Sequence, residues 1–239
     1  MTQVNHEEID PCRILSFEEP GFLGEDFNSD IVGITRNITQ QRLYSAYMQG
    51  IFPWFSEDDG EPVVWYSPSP RFCITVENFH VPKSIEKFLK HTPFTYTMDK
   101  DFPAVIENCR AMKRVGQRGT WIGRKMLDAY IDFFHNGFAH SVEVWHDEKL
   151  VGGFYGVLIG SVFCGESMFT LESNSSKSAF VLFAKKFIEC GGKLIDSQVY
   201  TENIARYGAK NISRDAFLHL EKQYLSKPLD ADIVAVFNS

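Results

Sequence analysis

No apolar run in this sequence approaches the ~18 consecutive residues that a membrane-spanning helix needs, so no membrane partner is expected. The opening MTQVNHEEID lacks the basic-then-apolar layout of a signal peptide. Cysteine is scarce and odd in number, with five residues at 12, 73, 109, 164 and 190, and no C-x-x-C pair. That spacing argues against both a disulfide framework and a structural zinc site. The seven histidines show no ligand spacing, so no metal centre is expected either. Ser167 lacks the G-x-S-x-G surroundings of a nucleophile elbow. No base adjoins Cys164 or Cys190, which therefore read as small buried apolar residues. Internal repeats and low-complexity segments are missing too. What is left is a reduced, cytoplasmic, globular chain.

The 239 residues are enough for one sizeable core, or for a small domain beside a larger one. Apolar residues make up 44% and charged residues 23%, as in ordinary globular proteins, and 21 phenylalanines supply material for pockets as well as cores. The net charge of −7 would disfavour a nucleic-acid partner if it were evenly spread, but it is not. Up to Pro70 there are 12 acidic residues against 3 basic ones; from Phe79 to Met126 there are 10 basic against 4 acidic. Screening makes charge local over about 8 Å, so the second stretch can hold phosphates on an acidic protein. The same charges also fit a solvated helix face.

Periodicity divides the chain. An acidic, irregular arm or edge strand covers the first thirty residues. A helix begins near Thr39, its N-cap, and ends at Gly50. The aromatic GIFPWF follows, fixed by Pro53. Ser67-Pro68-Ser69-Pro70 forms an extended, semi-rigid link, which predicts a small N-terminal domain over 1–67 and a second domain over 68–239. RFCITVENF alternates as a strand, Pro82 precedes a helix, and Phe102 to Met112 forms another. Arg124 to His135 forms a helix burying Met126, Leu127, Tyr130, Ile131 and Phe134. Three antiparallel strands follow, turning at HDEK and Gly160. A helix capped by Ser175 or Ser176 places Ala179, Phe183 and Phe187 on one face and ends at Gly191-Gly192. KLIDSQV is a short buried strand, followed by a short helix near Ile204 to Gly208 and a last helix from Arg214 to Tyr224. The class is α+β: a small N-terminal α/β domain, then a mixed sheet with helices on both faces.

Polar residues stand where propensity would not put them. Glu166 lies within VFCGESMF, and Asp196 and Gln198 lie within KLIDSQV. A carboxylate in an apolar strand is costly unless paired, which marks a site or a structural cap. Residues i and i+2 of a strand share a face, so Asp196 and Gln198 are expected to point into one site.

GIFPWF, WYSPSPR, GTWI, HSVEVW, LVGGFYG, VFCGESMF, SKSA and GGKLIDSQV occur in this order and resemble the leucyl/phenylalanyl-tRNA–protein transferases over roughly Leu43 to Arg214. The resemblance implies a GNAT-like catalytic domain. It also implies transfer of leucine or phenylalanine from Leu-tRNA or Phe-tRNA to proteins with N-terminal Arg or Lys, which marks them for degradation by the N-degron pathway. It implies a monomer with no cofactor, aminoacyl-tRNA being the co-substrate. By resemblance Asp196 is the carboxylate beside the attacking amine, Gln198 orients it or the ester, and Glu166 holds an amine. Phe154, Phe163, Phe183 and Phe187 would line the pocket for the donor side chain, and Trp54 and Trp121 would meet the terminal adenosine and its aminoacyl group. Lys83, Lys87, Lys90, Lys113, Arg114, Arg118 and Lys125 would face tRNA phosphates.

Two other readings stay open. A GNAT-like acetyl-CoA-dependent N-acyltransferase needs a glycine-rich phosphate cradle, for which Arg114 to Gly119 is out of register. A noncatalytic tRNA-binding module predicts that Glu166, Asp196 and Gln198 do not converge.

Overall fold

The computed structural model describes residues 8–17, 30–55, 62–112 and 122–239. Strand β1 (Ile31–Thr35) leads to helix α1 (Gln40–Tyr47). Thr39 caps α1, its hydroxyl accepting from the Arg42 N–H. Strands β2 (Phe52–Phe55) and β3 (Val63–Tyr66) complete an antiparallel sheet in the order β1–β3–β2. Beyond the Ser-Pro link come β4 (Arg71–Thr75), α2 (Lys83–Leu89), β5 (Thr95–Met98), α3 (Phe102–Ala111) and α4 (Arg124–His135). The meander β6 (Ala139–His146), β7 (Lys149–Ile159) and β8 (Val162–Thr170) follows. Helix α5 (Ser175–Glu189), β9 (Leu194–Asp196), α6 (Glu202–Ala205), β10 (Lys210–Ile212), α7 (Arg214–Leu225) and α8 (Ile233–Asn238) end the chain.

The large sheet runs β10–β4–β9–β8–β7–β6–β5 and is antiparallel except between β8 and β9, which α5 connects as a crossover. The expected turns close its meander. Asp147 and Glu148, at φ 46° and 61°, make the two-residue turn between β6 and β7, and Gly160 turns β7 into β8 at φ 58°. Alternation along the strands sorts side chains onto two faces. Tyr155, Val157 and Cys164 join one core with α1, α3 and α4, while Phe154, Phe163, Val142 and Val144 join another with α2 and α5. Helices therefore cover both faces, and the class is α+β. Residue 67 falls between β3 and β4, which belong to different sheets, yet a single apolar cluster unites Leu43 and Trp65 with Tyr130 and Phe133.

Several local expectations need correction. Helix α4 buries Phe133 completely, whereas Ile131 and Phe134 are only partly buried, because the helix is covered on a second flank by Tyr47 and Phe138. Neither Ser175 nor Ser176 caps α5; Asn174 holds the N-cap position at φ 68° without a side-chain capping bond, while the Ser175 hydroxyl donates to the Val151 carbonyl. Helix α8 has no counterpart among the elements expected from periodicity. The strand expected through Gln198 stops at Asp196. That early stop creates the site.

Candidate active site

Strands β8 and β9 pair over only three residues, Val162 with Leu194, Phe163 with Ile195 and Cys164 with Asp196. After Asp196 the chain leaves the strand. Gln198 adopts φ 63°, its N–H donates to Asp196 Oδ1 at 2.9 Å, and its carbonyl accepts from the Phe72 N–H of β4. Strand β8 continues to Thr170 paired with β7 but no longer with β9, so β8 and β9 part like a fork. In the gap lies a cavity of about 410 Å³ lined by Gly165, Glu166 and Met168 on one side and by Gln198, Val199 and Asn203 on the other. That volume falls within the ~300–1,000 Å³ of small-molecule sites. Its wall is mostly aromatic and aliphatic: Trp54, Phe154, Phe163, Phe180, Ile195 and Ile204. Trp54 projects from β2 and packs edge-on against Tyr66 at 5.1 Å. Asn203 Nδ2 contacts the Met168 sulfur, and its buried Oδ1 accepts no hydrogen bond among the described residues.

The polar end of the cavity is built from four chain segments. Glu166 Oε1 accepts from Gln198 Nε2 at 2.8 Å and from the Tyr47 hydroxyl of α1 at 2.7 Å; Oε2 accepts from the Tyr130 hydroxyl of α4 at 3.0 Å. The two tyrosine hydroxyls lie 2.5 Å from each other. Burial pushes the Glu166 carboxyl up to about 7, against the downward pull of the Tyr47 and Tyr130 hydrogen bonds. Such a carboxyl changes charge near neutrality. It can take up a proton and release it again.

Asp196 is the other carboxylate, and its position differs from expectation. It is fully buried, off the cavity wall, and held by Arg71 of β4 through Nε to Oδ1 at 2.9 Å and Nη2 to Oδ2 at 2.5 Å. Arg71 in turn lies between the Phe52 and Phe217 rings and donates to the Gly50 carbonyl. Both of its oxygens are held by the guanidinium, and Oδ1 also accepts the Gln198 N–H. Asp196 thereby ties Arg71 of β4 to the turn that carries Gln198. Glu221 completes this buried group; burial drives its carboxyl well above the usual range, with Arg71 opposing. The i, i+2 strand argument for Asp196 and Gln198 fails for the same reason: a side-chain-to-backbone turn, not a shared strand face, joins them.

Phe154 and Phe163 line the cavity as expected, but Phe183 and Phe187 do not. Both are fully buried one layer deeper, Phe183 against Phe163 at 4.4 Å and stacked on Phe187 at 5.7 Å. Phe180, one turn earlier on α5, takes the position at the wall. Trp121, Lys113, Arg114 and Arg118 lie outside the described residues, as does the glycine-bearing segment weighed as a phosphate cradle. Lys83, Lys87 and Lys90 are exposed on α2, whereas Lys125 is half-buried on α4. These helices cover opposite faces of the sheet, so the four lysines do not form one surface. Tyr47, Tyr130 and Arg71 belong to the site without having been expected there. The first two fit a helical apolar stripe and give no other signal; Arg71, a charge opening an apolar strand, carried the same mark as Glu166. Among the described residues no His, Cys, Asp or Glu cluster could hold a metal ion, and no helix is long and apolar enough to cross a membrane. Cys164, pushed well up by burial, is an inert thiol.

The sequence profile described as "Leucyl/phenylalanyl-tRNA protein transferase" matches residues 73–222, and that of its N-terminal domain matches residues 36–69. A leucyl/phenylalanyl-tRNA–protein transferase of Shewanella piezotolerans is 42% identical over 217 residues, 91% of this chain and 90% of that protein. One from Myxococcus xanthus is 41% identical over 221 residues, 91% of this chain and 94% of that protein. Among solved structures, a GCN5-related N-acetyltransferase from Kribbella flavida superposes with a TM-score of 0.36 at 11% identity, covering 71% of this chain and 60% of that one.

Proposed function

The chain belongs to the leucyl/phenylalanyl-tRNA–protein transferase family, an aminoacyltransferase family, and from that we propose how its cavity serves the reaction. The donor is an aminoacyl ester on tRNA, and the acceptor is the α-amine of a protein, of N-terminal Arg or Lys by the resemblance above. The modified protein enters degradation through its new N-terminus. The apolar wall formed by Phe154, Phe163, Phe180, Ile195 and Ile204 takes the leucine or phenylalanine side chain. Trp54 at the rim offers a face to the terminal adenosine. Exposed Lys83, Lys87 and Lys90 bind the tRNA backbone, which gives affinity without base reading.

An ester is already activated, so aminolysis needs chiefly alignment and removal of one proton from the attacking ammonium. The α-amine, with a pKa of ~8, is largely protonated at neutral pH. Ionised Glu166 takes that proton, the free amine attacks the ester carbonyl, the second amine proton goes to the departing ribose oxygen, and Glu166 returns its proton to solvent. Gln198 fixes the carboxylate through Nε2. Asp196 and Arg71 fix Gln198. The observation that carries this reading is the convergence of Glu166 and Gln198 at the polar end of a mostly apolar cavity. It weighs against the noncatalytic alternative, in which these groups stay apart.

The test uses leucyl-tRNA labelled in the leucine and two peptides differing only in an N-terminal Arg or Ala. Label on the Arg peptide alone, with a rate that rises as pH passes about 7, is the expected result. Equal label on both peptides would remove the acceptor assignment. No label on either, with acetylation from acetyl-CoA, would move the activity to the acetyltransferase reading.

A further inference from the structure

The contacts among Glu166, Tyr47 and Tyr130 close a triangle: Tyr47 to Glu166 at 2.7 Å, Tyr130 to Glu166 at 3.0 Å and Tyr47 to Tyr130 at 2.5 Å. Three oxygen–oxygen contacts need three protons if each is to be a hydrogen bond. The two phenols bring only two. With Glu166 ionised, one side of the triangle has no proton. When Glu166 is protonated, all three sides are filled. Both tyrosines are buried at 0–2% exposure, so water does not supply the missing donor to them.

We propose that Tyr47 and Tyr130 are positioning residues that form with Glu166 a closed ring for the proton released during transfer. This rests on the reading of Glu166 as the proton acceptor. In the balance, the acceptor ammonium gives one proton to the Glu166 carboxylate, and the ring closes with one proton on each contact. No bond to the substrate forms at either phenol. The proton leaves to solvent when product departs, and the ring reopens on one side.

The surroundings fix the direction of any change. Glu166 faces Tyr47 on α1, Tyr130 on α4, Gln198 in the turn and Cys164 along its own strand. Asp196 on β9 raises its proton affinity through space, Arg71 on β4 lowers it, and Tyr155 on β7 lies 5.4 Å ring to ring from Tyr130. Glu221 on α7 acts on the same Arg71 and Asp196. The charged groups therefore oppose one another, and the donors nearest the carboxylate are the two phenols and Gln198 Nε2. A hydrogen bond to an ionised carboxylate is about twice as strong as one between neutral groups. Loss of either phenol removes one such bond from the anion but two neutral bonds from the closed ring of the acid, so the two losses nearly cancel.

The experiment measures the pH profile of leucyl transfer, together with the carboxylic-acid stretch seen by infrared difference between wild type and Glu166→Gln in substrate-free protein. Tyr47→Phe and Tyr130→Phe should each leave both midpoints within about half a pH unit of wild type, while the rate at high pH is largely retained. Fluorotyrosine at either position keeps the ring in place and strengthens the donor, so it should move the midpoints to lower pH. This arm decides the matter if the Phe variants fail to fold. Midpoints moved alkaline by about one pH unit or more in the Phe variants, as for phenols that only donate to the anion, or midpoints unmoved by fluorotyrosine, would overturn the ring. A protein that transfers no leucine yet shows the infrared shifts would instead sink the reading of Glu166 as acceptor and leave the ring standing.

Discussion

Asp196 and Glu166 are both acids within apolar β structure, and their fates are decided by what meets them. Arg71 meets Asp196 with two charge-assisted bonds; only neutral donors meet Glu166. The first acid is tied into an ion pair and the second is left near its turning point. Asp196→Ala would therefore act on the fold before it acts on chemistry, since it leaves Arg71 buried without its partner. We expect a loss of about 3–5 kcal/mol in urea unfolding. Arg71→Met with Asp196→Leu should recover most of that stability, because apolar replacement of a buried pair is often close to neutral. Transfer should not return in the double variant, because the Gln198 N–H has lost its acceptor. Transfer restored along with stability would show that the turn is not needed.

At the scale of elements, the site comes from the short parallel pairing of β8 with β9 and from the one-turn register of α5. Phe180 and Phe183 lie on the same helix, yet one lines the cavity and the other is sealed behind it. Phe183→Ala should cost about 3–5 kcal/mol of stability, as large cavities in cores do. Phe180→Ala should cost less and should instead raise the KM for aminoacyl-tRNA and weaken the choice between leucine and smaller side chains. Steady-state transfer beside thermal unfolding separates the two. Equal effects of both substitutions on both measurements would mean that α5 contributes only packing.

Across the whole molecule, the sheet keeps the exposed lysines of α2 apart from Lys125. Helix α2 rests on α5, the helix that supplies Phe180, whereas Lys125 sits on the far face with α3. Each phosphate that a lysine neutralises adds about 0.9 to the salt slope of binding. Replacing Lys83, Lys87 and Lys90 by Ala should thus flatten the dependence of log K on log salt by about 2–3, and Lys125→Ala should leave it nearly unchanged. The same slope in both variants would exclude α2 as the tRNA-facing surface.

The family blocks, the α+β class, the Thr39 cap, the helix Arg124–His135 and the turns at Asp147 and Gly160 were legible in the sequence, because helix periods, strand alternation and turn chemistry act over a few residues. So was the oddity of Glu166, since an acid in an apolar strand is visible without its partners. The partners were not. Tyr47 meets Glu166 across 119 residues and Arg71 meets Asp196 across 125, and nothing local distinguishes such a tyrosine from a core residue. Which face of α5 reaches the cavity, which acid is neutralised, and which lysines share a surface depend on how strands and helices pack once the chain has collapsed. Packing joins residues that no short-range rule relates, so those choices belonged to the tertiary structure alone.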